Sequence, residues 1–182
     1  MKRTILILSI LLSVHFCYAQ NANQKWFNYG IGLRAEICQT NHSGIGLDVE
    51  HYFHPNFSVN LTALTDVLIY TDASTYAKYT NIFYGLHPHL RWFAGAGFRY
   101  RRTLKIDDNG VRQKHDARIC MGPSLMIGMG YTFKKAPINI CIDWRPAINL
   151  IWINRQKGHY DDDWLQMAQV GVTLRFVTKR ML

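Results

Sequence analysis

The sequence predicts an all-β chain that folds as an eight-stranded antiparallel transmembrane β-barrel. Three observations carry this. Apolar and polar residues alternate with period two in eight successive segments, the connections between segments alternate short and long, and the polar faces collect charge and glycine while the apolar faces collect aromatics. Successive side chains of a strand point to opposite faces, so each such segment is a piece of wall with one apolar and one polar side. An even strand number with short turns at one end and longer connections at the other is the pattern of barrels closed within a bilayer.

The first element stands apart from the barrel. Lys2 and Arg3 precede an apolar run from Ile5 to Val14, and Cys17-Tyr18-Ala19 precedes Gln20. A basic start, a short apolar stretch and small residues before the cut are the features of a secretory signal peptide, expected over residues 1–19 with cleavage after Ala19. The run is too short to cross a hydrocarbon layer as a helix, which takes roughly 20 apolar residues. The barrel domain is then expected over residues 20–182. With 48% hydrophobic, 13% aromatic and 18% charged residues the chain is no disordered tail. Lys and Arg number 21 against 12 Asp and Glu, an excess that points to anionic partners such as lipid phosphates.

The strands follow in order. In 30–38, Ile31, Leu33, Ala35 and Ile37 alternate with Arg34, Glu36 and Cys38; in 45–50, Ile45, Leu47 and Val49 alternate with Asp48 and Glu50. A third, long strand is read over 57–70 and a fourth, the least clear, over 79–87. The fifth, 90–101, sets Trp92, Ala94, Ala96, Phe98 and Tyr100 against Arg91, Gly95, Gly97, Arg99 and Arg101. The sixth covers 118–133, the seventh 138–152 and the eighth 164–176. Short turns are read at 54–56, 88–89 and 134–137, and longer polar connections at 39–43, 71–78, 102–116 and 153–163.

The two faces decide the environment. Arg34, Glu36, Asp48, Glu50, Asp66, Arg91, Arg99, Arg118, Asp143, Arg145 and Arg175 all fall on the polar side. Trp92, Tyr100, Tyr131, Phe133, Trp144, Trp152, Trp164 and Phe176 fall on the apolar side. A water-soluble barrel of eight strands would turn the aromatics inward and the charges out. Patterns of more than ten residues suit strands tilted across a bilayer rather than the shorter strands of a sandwich. The charges are therefore expected in a narrow lumen, where unpaired charge is costly, as an interleaved network of ion pairs.

The segments Arg91-Trp92-Phe93-Ala94-Gly95-Ala96-Gly97, Ala136-Pro137-Ile138-Asn139 and Asp143-Trp144-Arg145-Pro146 resemble small outer-membrane β-barrel proteins of Bacteroidota. The resemblance covers most of residues 28–177. It implies an OmpA/OmpX-like barrel without a peptidoglycan-binding domain and with no defined activity. It places the chain in the outer membrane of a Gram-negative bacterium.

Chemistry is sparse. Some barrels of this size act on lipid A as deacylases or acyltransferases, which need a hydroxyl nucleophile beside a histidine. His42 beside Ser43, His115 beside Asp116 and His159 near Asp161 are the candidates. Neighbours on a strand face opposite ways, which weighs against the first pair. His51, His54, His87 and His89 gather at turns without metal-ligand spacing, and Asp161, Asp162 and Asp163 read as a solvated charge run. No cofactor motif and no nucleic-acid motif is present. Cys38, Cys120 and Cys141 are expected to stay unpaired. A small pore or transport accessory is the other alternative, and an unidentified membrane-protein partner is left open. The most specific expectation concerns the connection after the fifth strand: Arg101, Arg102, Lys105, Arg112 and Lys114 are expected to contact lipopolysaccharide phosphates, to which arginine forks are well matched.

Overall fold

A computed structural model describes residues 27–38, 43–66, 70–83, 87, 89–106, 112–153, 165–167 and 169–179. They form a closed antiparallel barrel of eight strands. β1 is Phe27–Cys38, β2 Ser43–His54, β3 Phe57–Thr65, β4 Tyr70–Ile82, β5 Leu90–Ile106 and β6 Arg112–Thr132. β7 runs in three pieces, Ile138–Trp144, Ala147–Ile148 and Ile151–Ile153, and β8 in two, Leu165–Gln166 and Gln169–Lys179. Each strand pairs with the one before it. β8 returns to β1, from Cys38↔Gln169 to Phe27↔Lys179, so that no edge is left open.

The wall is inverted relative to a water-soluble protein. Leu33 is 61% exposed while Arg34, next to it in the chain, is fully buried. The same holds around the barrel: Ile31, Leu47, Leu61, Leu125, Ile142 and Leu174 point out, while Asp48, Asn60, Asp72, Arg99, Asp143 and Arg175 point in. Such a surface is stable against hydrocarbon, where every backbone donor and acceptor is already used in the ladder. Inside, two small apolar clusters lie among the charges: Tyr76, Phe93, Met126 and Cys141 in one, Cys38, Leu64 and Tyr70 in the other.

Two features of the connections differ from the sequence reading. The chain reverses between Thr65 and Tyr70, and the stretch 71–78, read as a loop, is the middle of β4. The Asp66 carboxylate accepts the Tyr70 N–H at 2.7 Å, a side chain closing the turn that a backbone group would otherwise close. The alternation misled because Val67, Leu68 and Ile69 prolong the apolar pattern across the reversal. The outward residues of β4, Thr71, Ala73, Thr75 and Ala77, meanwhile contrast weakly with its inward ones. The second difference is in length. β5 and β6 run through most of the segment read as a connection at 102–116, and pair as far as Ile106↔Arg112. Length read as loop is therefore strand, and this hairpin projects as a two-stranded ribbon. The end it marks is called here the ribbon end, and the opposite end, where Phe27 meets Lys179, the termini end.

Candidate functional site

The lumen is the most constructed part of the molecule. Among the described residues it buries Arg34, Lys78, Arg99, Arg101, Arg145 and Arg175 with Glu36, Asp48, Glu50, Asp72 and Asp143. In the middle, Arg34 on β1 forms a two-pronged pair with Asp143 on β7, both Nη atoms donating at 2.7 Å, and a second pair with Glu36 at 2.9 Å. Asp143 also accepts from Arg145 Nε at 2.8 Å. Arg145 crosses the lumen to Thr62 Oγ1 on β3 at 2.7 Å and lies over the Tyr76 ring, 4.8 Å from its centroid.

Toward the ribbon end, Arg99 bonds Asp72 and Gln169, and its Nη2 reaches the Tyr70 hydroxyl at 3.1 Å. Arg101 pairs with the same Asp72 at 3.3 Å. Toward the termini end, Arg175 bonds Asp48 and donates to Glu50 at 2.6 Å, while Lys78 pairs with Glu50 from β4 and sits over the Phe93 ring at 4.4 Å. Ser58 donates at 2.6 Å to Glu50 Oε1, the oxygen that Lys78 also pairs with.

These links join strands that are not neighbours: β1 to β7, β5 to β8, β7 to β3, β8 to β2 and β4 to β2. Burying each ion costs several kcal/mol of lost hydration, which close geometry and additional hydrogen bonds must offset. The carboxylates here are bound from two or more sides, which meets that condition. The arrangement braces the wall from within, and its acids and bases are occupied with each other.

Of the residues assigned to the polar faces, Arg34, Glu36, Asp48, Glu50, Arg99, Asp143, Arg145 and Arg175 lie together in this network. Asp66 is half-exposed at the β3–β4 turn, and Arg91 is half-buried at the termini end. Arg118 is in β6, its side chain outside the described residues. Three members were missed. Asp72 and Lys78 belong to β4, whose strand character the sequence hid, and Arg101 was assigned to the lipopolysaccharide group. Arg101 is turned into the lumen, 4% exposed and held by Asp72, so it does not stand on the surface with Arg102.

Arg102 is exposed on β5 opposite Ile119, and Lys105, Arg112 and Lys114 lie along the ribbon, with Lys105 opposite Gln113. The side chains of those three are outside the described residues, as are His42, His159 and Asp161 to Asp163. Among the described residues no group of three or more His, Cys, Asp or Glu is placed to hold a metal ion. Cys38, Cys120 and Cys141 are free thiols, all buried. In the segment Asp143 to Pro146, the Asp and Arg enter the network. The Trp144 indole on the outer face donates to the Met167 carbonyl, and Pro146 interrupts β7.

No protein-family model matches the chain, and no curated protein matches it in sequence. Solved structures do match in shape. The N-terminal β-barrel domain of Pseudomonas aeruginosa OprF is similar over 84% of this chain and 100% of that one, with a TM-score of 0.58 and 18% identity. A de novo designed transmembrane β-barrel is similar over 86% of this chain and 100% of the design, with a TM-score of 0.54 and 10% identity. Neisserial surface protein A aligns over 82% of this chain and 94% of that one, with a TM-score of 0.46 and 11% identity. At these identities the likeness is one of fold.

Proposed function

We propose that the protein is a structural and surface-interaction barrel of a Gram-negative outer membrane, exported with cleavage after Ala19, and that its β5–β6 ribbon contacts lipopolysaccharide phosphates. The observation that carries the reading is the inverted wall around a lumen braced by ion pairs: the outside fits hydrocarbon and the inside is filled. In even-stranded barrels of this kind both termini lie in the periplasm, which turns the ribbon outward. Arg102, Lys105, Arg112 and Lys114 then stand where a sugar-phosphate layer begins. The Bacteroidota source rests on the sequence motifs alone.

A non-enzymatic role is favoured because the lumenal acids and bases are engaged with one another. A lipid A enzyme remains the second reading only through His42, His115 and His159, and a pore through the lumenal arginines. The test is substitution of Arg102, Arg112 and Lys114 by Gln. Less lipopolysaccharide should co-purify, and its salt-sensitive binding should weaken, in a barrel that still folds. Unchanged retention leaves the ribbon a solubilising device. Arg101→Gln serves as the contrast, since it should lower stability rather than lipid retention.

A further inference from the structure

The termini end carries a second, separate concentration of basic side chains. His87 and Lys134 are exposed, as is Lys135, while His89 and Arg91 are half-buried. They come from two connections, 83–89 and 133–137, that the β5–β6 pairing brings side by side, with Leu90 opposite Tyr131 and Arg91 opposite Gly130. The backbone there is pinned: Thr132 N–H donates to the His89 carbonyl at 3.0 Å, His89 N–H to His87 Nδ1 at 3.3 Å, and Leu90 N–H to the His87 carbonyl at 3.1 Å.

The connections 55–56, 83–89 and 133–137 contain no Asp or Glu, and Glu50, in the lumen beneath them, is bound by Arg175, Lys78 and Ser58. The local field acts on His89, whose ring is held below the ordinary imidazole range by desolvation and by His87, Lys134 and Arg91.

The height of the group follows from its aromatic neighbours. Tyr131 packs against the His87 ring at 5.4 Å, the His89 ring at 6.3 Å and the Phe133 ring at 5.2 Å. Around the same rim, Phe57 meets Tyr79 at 5.2 Å and Tyr79 meets Trp92 at 5.7 Å. Tyr and Trp concentrate at the level of lipid headgroups, so the imidazoles and ammonium groups sit at phosphate height. Clustered cations at that level attract anionic headgroups.

We propose that His87, His89, Lys134 and Lys135 form a binding surface for the phosphate of an anionic phospholipid in the leaflet at the termini end. This rests on the membrane-spanning reading given above and adds a lipid contact on the face opposite the ribbon. A phosphodiester accepts hydrogen bonds from imidazole N–H and ammonium donors together, while the acyl chains lie along Tyr131 and Phe133.

The test uses the folded mature chain in mixed vesicles of phosphatidylcholine and phosphatidylglycerol, with retained lipid measured after detergent extraction. Phosphatidylglycerol should be enriched about fivefold over phosphatidylcholine, the factor expected for one well-placed cation at an anionic surface. The combined variant His87→Gln, His89→Gln, Lys134→Gln and Lys135→Gln should retain both lipids equally. If that variant does not fold, Lys134→Gln with Lys135→Gln, both on an exposed turn, should still reduce the enrichment. Parent and variants all carry Arg102→Gln, Arg112→Gln and Lys114→Gln, so that phosphate contacts of the ribbon do not contribute to the enrichment. Equal retention by the inserted parent barrel overturns the proposal. So does complete displacement of phosphatidylglycerol by inorganic phosphate, which marks a site for the free anion, or binding to purified peptidoglycan without lipid preference. A barrel that fails to insert into vesicles removes the membrane reading, and this inference with it.

Discussion

Arg34 ties three strands together with one guanidinium: it starts on β1, forks onto Asp143 of β7 and donates to Thr173 Oγ1 of β8 at 3.1 Å. Room for it is made by a missing side chain, since a Cβ at Gly171 would come within 2.0 Å of Arg34 Nη2. Removing one partner of a buried pair leaves the other charged and unanswered, so Arg34→Met should cost about 3–5 kcal/mol in reversible urea unfolding. Arg34→Lys should recover little, because an ammonium cannot reproduce the two-pronged geometry. Gly171→Ala should cost about 1–3 kcal/mol by the same unfolding measurement, as an overpacked site. Arg102→Gln, on the outer face, should change stability by no more than about 0.5 kcal/mol. A loss at Arg102 equal to that at Arg34 would contradict the division into a bracing inside and a free outside.

At the scale of the strand, β4 separates what the sequence disclosed from what it concealed. Where the outward residues are large and apolar, as in β1, β2, β6 and β8, the alternation assigned the faces on which Arg34, Asp48 and Arg175 lie. In β4 the outward residues are Thr71, Ala73, Thr75 and Ala77, and the contrast that marks a strand falls away while the backbone pairing does not. Asp72 and Lys78, two members of the lumenal network, were hidden with it. The strand assignment is open to test. One Ala inserted after Ser74 exchanges the two faces for the rest of β4, and should block folding, seen as loss of the heat-sensitive electrophoretic shift typical of folded barrels. Tolerance of the insertion would restore the loop. Register also governs the thiols. Cys120 lies opposite Trp152 and Cys141 opposite Gly130, an offset of about 30 Å along the β6–β7 wall. That distance is far beyond disulfide reach. A maleimide reagent should leave Cys38, Cys120 and Cys141 unmodified in the folded barrel and label all three after unfolding, with no bridge found by non-reducing mass analysis.

For the whole molecule, the links across the lumen predict silence in electrical recording: monomers in planar bilayers should show no steady conductance, and large stable channels would mean that the network does not fill the bore. The pairing of β8 with β1 has a consequence of another kind, one of timing. Tyr29 and Thr178, bonded at 3.2 Å, are separated by 149 positions in the chain. The contact that closes the wall is thus among the longest-range it makes, and the entropy of that closure must be met before the last ladder repays it. Until then β1 presents a bare edge, and the inward arginines of β5, β7 and β8 lack the acids of β1 and β2 that will neutralise them. A chain still emerging has no stable halfway form. It must be kept extended and apart from its own copies until its final strand is made, and then it completes ring, plug and apolar belt in a single cooperative event.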